Sequence, residues 1–152
     1  MAAPVVKAGT SRVGGDGDWL PEFFAILELI ESDKTHVGQK QGADALAQLI
    51  DSLHGEPAAH LGAHMRGEDT DGHTDGLDAL LGLLDDDDPE VTLQVVVCIG
   101  NLCSVRFDPE ADQTKELLRG RNVVERVTMQ LSRADSDMSV LYAAAALQNM
   151  TS

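Results

Sequence analysis

Two similar segments, one in the middle and one at the end of the chain, constrain the fold more than any other feature. Residues 99–104 (IGNLCS) align with residues 147–152 (LQNMTS), an offset of 48 residues. The second copy follows an alanine-rich run at residues 143–146, and such a run is a good helix former and a poor strand former. A helix that recurs at this spacing indicates a helical repeat protein, an α-solenoid.

The first copy ends a stretch that begins with a helix-start signal. Asp88 can cap free backbone amides, Pro89 suits the first helical position, and Glu90 lies near the positive end of the helix dipole. Apolar residues then recur at helical spacing: Val91, Val95, Cys98, Ile99 and Leu102. The β-branched run at residues 95–97 would also suit a strand, but the alanine-rich second copy favours a helix for both.

Both segments resemble the third helix of an armadillo repeat, whose pattern is Val-x3-small-x2-small-Leu-x-Asn-Leu. The matching residues are Val91, Val95, Cys98, Ile99, Asn101 and Leu102 in the first copy, and Ala143, Ala146, Leu147, Asn149 and Met150 in the second, with Ser139 where an apolar residue is expected. Residues 117–127 resemble the family's passage from first to second helix, where Gly120 is expected to end its helix in a left-handed conformation. The resemblance covers about residues 76–152. It implies an all-α, armadillo/HEAT-like α-solenoid of about two to three repeats, which serves as a scaffold for binding proteins.

The expected organisation follows from helix caps, apolar spacing and breaks in composition. The expected segments are a disordered N-terminal arm (1–17), a degenerate first helical repeat (18–53), a His/Gly/Asp-rich loop (54–75), an armadillo-like repeat (76–104) and a further armadillo-like repeat that ends without a cap (105–152). The expected helices are 19–31, 35–53, 76–84, 89–104, 110–119, 121–132 and 137–150.

The segment 54–75 contains four of the five histidines, His54, His60, His64 and His73, and therefore invites comparison with metal sites. The helical pair His60 and His64 lacks the glutamate that follows the first histidine in zinc peptidases. The run Asp71-x-His73-x-Asp75 begins like a calcium loop, but Gly82 stands where the bidentate glutamate belongs. We therefore expect an exposed loop with at most a short helix at 58–65, and no metal.

Composition narrows the possible partners. The chain has 26 acidic and 11 basic residues, a formal charge of −15, which disfavours nucleic acid and anionic membranes. The charge favours a basic partner, or serves solubility alone. No apolar run approaches the roughly 20 residues of a membrane span. Cys98 and Cys103 point about 140° apart on one helix, so we expect reduced, buried thiols in a cytoplasmic or nuclear protein.

A separate stripe on the central helix consists of Gln94, Val97 and Asn101, and the second copy places Tyr142, Ala145 and Asn149 at the same positions. The resemblance implies that this stripe lines a groove in which the asparagine contacts the main chain of an extended peptide. An amide suits that role because it both donates and accepts hydrogen bonds. The alternative is that the amide only braces its own repeat.

One departure from the family concerns ligand choice. Its nuclear-import receptors carry a tryptophan one turn before the asparagine, where this chain has Val97 and Ala145. The slots that grip lysine side chains are therefore missing, and recognition of nuclear-localisation signals is not expected.

No residues form a recognisable catalytic set, because the histidines lie in one segment and the cysteines on a buried face. We therefore expect a non-enzymatic module without a cofactor that binds an extended peptide or a protein. The alternatives are a regulator of small GTPases on an armadillo scaffold and a metal-responsive regulator acting through residues 54–75. The final helix is apolar apart from Asp137, so we also expect self-association through it, or a longer repeat array.

Overall fold

The computed structural model describes residues 19–68 and 75–152, which form eight α-helices and no strand. The helices are α1 (Leu20–Ser32), α2 (His36–Ser52), α3 (Glu56–Met65), α4 (Gly76–Gly82), α5 (Pro89–Leu102), α6 (Ala111–Arg119), α7 (Val123–Arg133) and α8 (Asp137–Thr151). The all-α prediction is confirmed, and each of the seven expected helices is present with ends within two residues of those expected. The expected N-terminal arm (1–17) and His73 lie outside the described residues.

The three helices that carry the repeat-ending sequences lie side by side. Helix α5 packs against α2 on one side and against α8 on the other. Gly100 faces α8, where a Cβ built on it would lie 3.5 Å from the Cα of Ala146. The buried apolar residues of α5 and α8, such as Ile99 and Ala146, hold this row together.

A second layer is formed by α1, α4 and α7. Helix α1 packs on α2 and α4, and α7 packs on α8. Two side chains of α7 reach the carboxyl end of α4: Arg126 donates to the Leu81 carbonyl at 3.1 Å, and Gln130 donates to the Leu84 carbonyl at 3.3 Å. Carbonyls at a helix end lack intrahelical partners and can accept hydrogen bonds from other elements. Because the donors lie on α7, these bonds join consecutive units of the stack.

Helix α3 is longer and more buried than the short helix expected at 58–65 within an exposed loop. Pro57 stands in its first turn, and Gly55 before it has the positive φ of 69° that glycine adopts readily. Leu61 and Met65 are fully buried, and His64 is 3% exposed, so this part of the segment is core rather than surface. The central unit is therefore α3–α4–α5, which matches the three helices α6–α7–α8 that follow it.

The turn between α6 and α7 also differs from expectation. Gly120 has right-handed backbone angles (φ −62°, ψ −14°), so the expected left-handed glycine is wrong. The left-handed residue is Asn122, with φ 58°, directly before α7. Asparagine tolerates this conformation better than most residues with a Cβ. The chain therefore turns at Asn122, two residues after Gly120.

A buried ion pair connects the two three-helix units. Arg66, at the end of α3, places Nη1 2.6 Å from Oδ2 of Asp108 and donates to Thr114 of α6 at 3.0 Å. The side chains of Arg66 and Asp108 are 4% and 0% exposed. Gly62 leaves the room for Asp108, because a Cβ at this glycine would lie 2.1 Å from Oδ2. The carboxylate also accepts the Glu110 amide at 2.9 Å, as an acid that precedes a helix start commonly does.

Candidate functional site

The stripe on α5 is only half-buried in the folded chain. Its helix begins as expected: the Asp88 carboxylate accepts the Glu90 amide at 2.8 Å, and Pro89 occupies the first turn. The opposite side of α5 is core, with its apolar residues at 0% exposure. Helical spacing then leaves Gln94, Val97 and Asn101 together on the accessible side. The structure thus presents this part of the expected site on one helix face.

The corresponding residues of α8 extend the same surface. Tyr142 and Asn149 are half-buried and Ala145 is exposed, whereas Ala143, Ala146 and Met150 are buried. Since α5 and α8 are neighbours in one layer, the two stripes lie side by side. We call the six residues Gln94, Val97, Asn101, Tyr142, Ala145 and Asn149 the groove stripe.

The two asparagines of the groove stripe have different surroundings. The Asn149 side chain donates through Nδ2 to the Gly100 carbonyl at 2.9 Å. That carbonyl lies in the last turn of α5, and the Ser104 amide, its ordinary partner, donates to Asn101 O instead. Within residues 19–68 and 75–152, the Asn101 side chain makes no hydrogen bond. Asn149 therefore links α8 to the end of α5, whereas the Asn101 side chain has no such bond among the described residues.

Helix α2 adds charged residues to the site that the sequence analysis missed. The Lys40 ammonium forms an ion pair with Glu90 of α5. Asp44 lies one turn beyond Lys40, and its pKa is raised above its ordinary value by partial burial and by the Glu90 and Asp88 carboxylates, against the influence of Lys40. The sequence signal for Asp44 was Gln48, which occupies the position of Asn101 in the repeat-ending sequence of α2. Aligning Gln48 with Asn101 places Asp44 at the position of Val97.

A small cleft lies between α5 and α8 at their amino-terminal halves. It has a volume of about 60 Å³. Its lining comes from α5 (Pro89, Thr92, Leu93 and Val96), α8 (Ser139 and Ala143), the end of α7 (Gln130 and Arg133) and the α7–α8 turn (Ala134 and Asp135). This volume is far below the roughly 300 Å³ of a small-molecule site. It suits a single side chain.

The histidines of α3 lie among aromatic rings. The rings of His60 and His64 have centroids 4.7 Å apart, and that of Trp19 lies 5.5 Å from His60. Trp19 and Phe23 are 4% and 0% exposed, so these aromatics belong to the core. In the described part of the chain, no three His, Cys, Asp or Glu residues form a group that could hold a metal ion.

The two cysteines are free and buried, as the sequence analysis expected. Burial raises the pKa of Cys98 and of Cys103 to about 12. A thiol becomes a nucleophile only as the thiolate, so neither residue is poised for nucleophilic chemistry at neutral pH.

Comparison with protein families identifies one segment of the chain. Residues 73–104 match the model of the Armadillo/beta-catenin-like repeat. This segment is therefore similar to one armadillo repeat. The matched segment spans α4 and α5, including all three groove-stripe residues of α5, and the armadillo resemblance of the sequence is confirmed there. Comparison with curated proteins and with solved structures gave no match.

The armadillo repeat family is a class of protein-interaction scaffolds, which fits a stacked, all-helical chain. Helix α3 supplies the matched repeat with a first helix that lies before the matched segment. Among the described residues, no helix is both long and apolar enough to cross a membrane.

Proposed function

We propose that this armadillo-repeat protein is a non-enzymatic interaction module that binds an extended peptide, or an extended segment of a protein, across the accessible side of α2, α5 and α8. The observation that carries the proposal is the Asn101 amide, which is half-buried, central in the row and not engaged by the described residues. Such an amide can pair with a main-chain N–H and C=O whatever the ligand's side chains are.

The two asparagines have separate roles in this proposal. Asn101 holds the ligand, with Gln94, Val97, Tyr142 and Ala145 as the surrounding surface. Asn149 instead holds the carboxyl end of α5 through the Gly100 carbonyl. In this proposal Asn149 braces the fold, and Asn101 binds the ligand.

The acidic composition supports a basic ligand, because a formal charge of −15 attracts cations over distances of about a Debye length. We place the protein in the cytoplasm or nucleus, where buried thiols such as Cys98 stay reduced. Helix α8 also exposes Met138, Val140 and Leu141, and we propose that a second copy can associate through this apolar face.

The test begins with peptides selected on the wild-type protein from a random display library. Asn101→Ala should weaken their binding by about 1–3 kcal/mol, because ligand groups lose their partner, or about 5- to 150-fold in Kd. The melting temperature should stay within a degree of wild type. Gln148→Ala removes an exposed amide from α8 and is the matched control. Unchanged affinities in the Asn101 variant would refute the groove proposal.

A further inference from the structure

We propose that the groove selects an extended segment in which a lysine or arginine and an aliphatic residue stand three positions apart, the cation between α2 and α5 and the aliphatic side chain in the cleft between α5 and α8. This inference rests on the proposed function and names its ligand. It follows from the different chemistry at the two helix boundaries that flank the first half of α5.

The α2–α5 boundary is negatively charged. Asp44 lies within the electrostatic influence of Asp88 and Glu90. The basic residues nearby are Lys40, which pairs with Glu90, His36, whose Nε2 lies 3.1 Å from Asp88 Oδ2, and Lys34, which lines the same surface as Asp88. Partial burial and the nearby Glu90 and Asp88 carboxylates raise the pKa of Asp44, and an added positive charge would relieve that repulsion. The loop residues 85–87 add three more aspartates beside this boundary. Charge complementarity therefore favours a cationic side chain here.

The walls that α5 and α8 give to the cleft are mainly apolar. Val96 and Ala143, each 2% exposed, and the half-buried Leu93 line it, together with the hydroxyl-bearing Thr92 and Ser139. The charged cleft residues lie outside α5 and α8, because Arg133 ends α7 and Asp135 is in the α7–α8 turn. An aliphatic side chain gains by leaving water against Leu93, Val96 and Ala143.

The spacing between the two boundaries fixes the motif. Packed helices are about 8–10 Å apart, so the boundaries on either side of α5 are separated by about the same distance. A polyproline II segment advances about 3.1 Å per residue with three residues per turn. Residues i and i+3 therefore lie about 9 Å apart on one side of the segment, and the main chain between them crosses the first half of α5 near Gln94 and Val97.

The experiment uses synthetic peptides with blocked ends and an extended, proline-rich background, measured by fluorescence anisotropy with the full chain. Two peptides carry Lys-x-x-Leu and Leu-x-x-Lys, since an amide anchor accepts either direction. Controls of identical composition place Lys and Leu one and five positions apart, and further controls replace Lys by Glu or Leu by Gly. One of the two motif orders should bind at least tenfold more tightly than every control.

Variants of the protein assign the two contacts. Asp44→Asn should weaken the motif peptide at least fivefold, whereas Glu31→Gln, which makes the same charge change on an exposed site of α1, should leave its affinity within twofold. Ser139→Leu fills the cleft from within. It should weaken the leucine peptide and leave the glycine control unchanged.

The outcomes separate this inference from the proposed function. If library-selected peptides depend on Asn101 but the spacing controls bind as well as the motif peptides, the inference is overturned and the groove remains. If Asp44→Asn and Glu31→Gln weaken binding equally, the charge contact is non-specific and the inference fails. If Asn101→Ala has no effect on any bound peptide, both proposals fall.

Discussion

At the scale of single residues, two asparagines with the same place in the same motif have different surroundings. Asn149 has an unpaired carbonyl to bind because α5 ends two residues after Gly100. The equivalent position beside Asn101 is Ala47, and α2 continues to Ser52, so its carbonyl has a partner within the helix. The motif predicted where both amides lie. It could not predict their partners, because those depend on where the neighbouring helix ends.

The first residue-scale prediction concerns this difference. Asn149→Ala removes a half-buried hydrogen bond and leaves the Gly100 carbonyl without it, which should destabilise the fold by about 1–2 kcal/mol. At about 2–4 °C per kcal/mol for a chain of this size, the melting temperature should fall by several degrees. Thermal unfolding followed by circular dichroism provides the measurement. A melting temperature equal to that of wild type would show that the bond contributes nothing.

The second residue-scale prediction concerns Asp44 and pH. Its pKa in the folded chain is raised above the ordinary 3.8, so the folded state binds its proton more tightly than the unfolded state does. Stability from this group is present below pH 3.8 and is lost as pH rises through the folded pKa. Asp44→Asn should therefore melt slightly above wild type at pH 7, and added salt should reduce the gain because the group is partly exposed.

The comparison with wild type at acid pH is the internal control for Asp44→Asn. Below pH 3.8 the wild-type carboxyl is also neutral, so the two melting temperatures should converge there. A variant that melts well below wild type at pH 7 would mean that Asp44 stabilises the fold. It could not then be regarded as a group held ready for a ligand.

At the scale of helices, start signals and apolar spacing predicted seven of the eight described helices to within two residues. The composition of the eighth, α3, is typical of a loop, so its length and burial were not predicted. Asp88 caps α5 as expected, and Ser136 caps α8. The sequence predicts at most a short, exposed helix in place of α3, because histidine, glycine and proline are typical of loops, although Ala58, Leu61 and Met65 have helical spacing. Its burial depends on α4 and α6, and such long-range contacts leave little trace in the sequence of the segment itself.

The element-scale prediction tests how α3 is held to α6. Asp108→Ala leaves the Arg66 guanidinium buried without its main partner, which should cost about 3–5 kcal/mol of the free energy of unfolding. The double variant Arg66→Met with Asp108→Leu removes both charges and should recover much of the loss. Urea unfolding gives both values. A double variant as unstable as Asp108→Ala would mean that shape around Gly62, rather than charge, decides the contact.

At the scale of the whole molecule, charge and apolar surface are unevenly distributed. The chain carries a formal charge of −15, yet α8 contains one charged residue, Asp137. Its exposed residues include Leu141 at 60%, Met138 at 52% and Val140 at 44%. Two copies repel each other over most of their surface, and α8 is a face on which they can approach. The same face borders the groove stripe at Ala145, so association and peptide binding should compete.

Added salt should therefore strengthen self-association and weaken peptide binding. Screening weakens the repulsion between copies and the attraction of a basic peptide alike, so light scattering should show more dimer as salt rises while peptide affinity falls. Leu141→Glu should abolish the dimer, because pairing would bury a carboxylate. Val105→Glu makes the same change at a residue 59% exposed in the α5–α6 turn and should leave the dimer intact. A monomer at every salt concentration, with no binding of a hydrophobic dye, would show that α8 is no interface between copies.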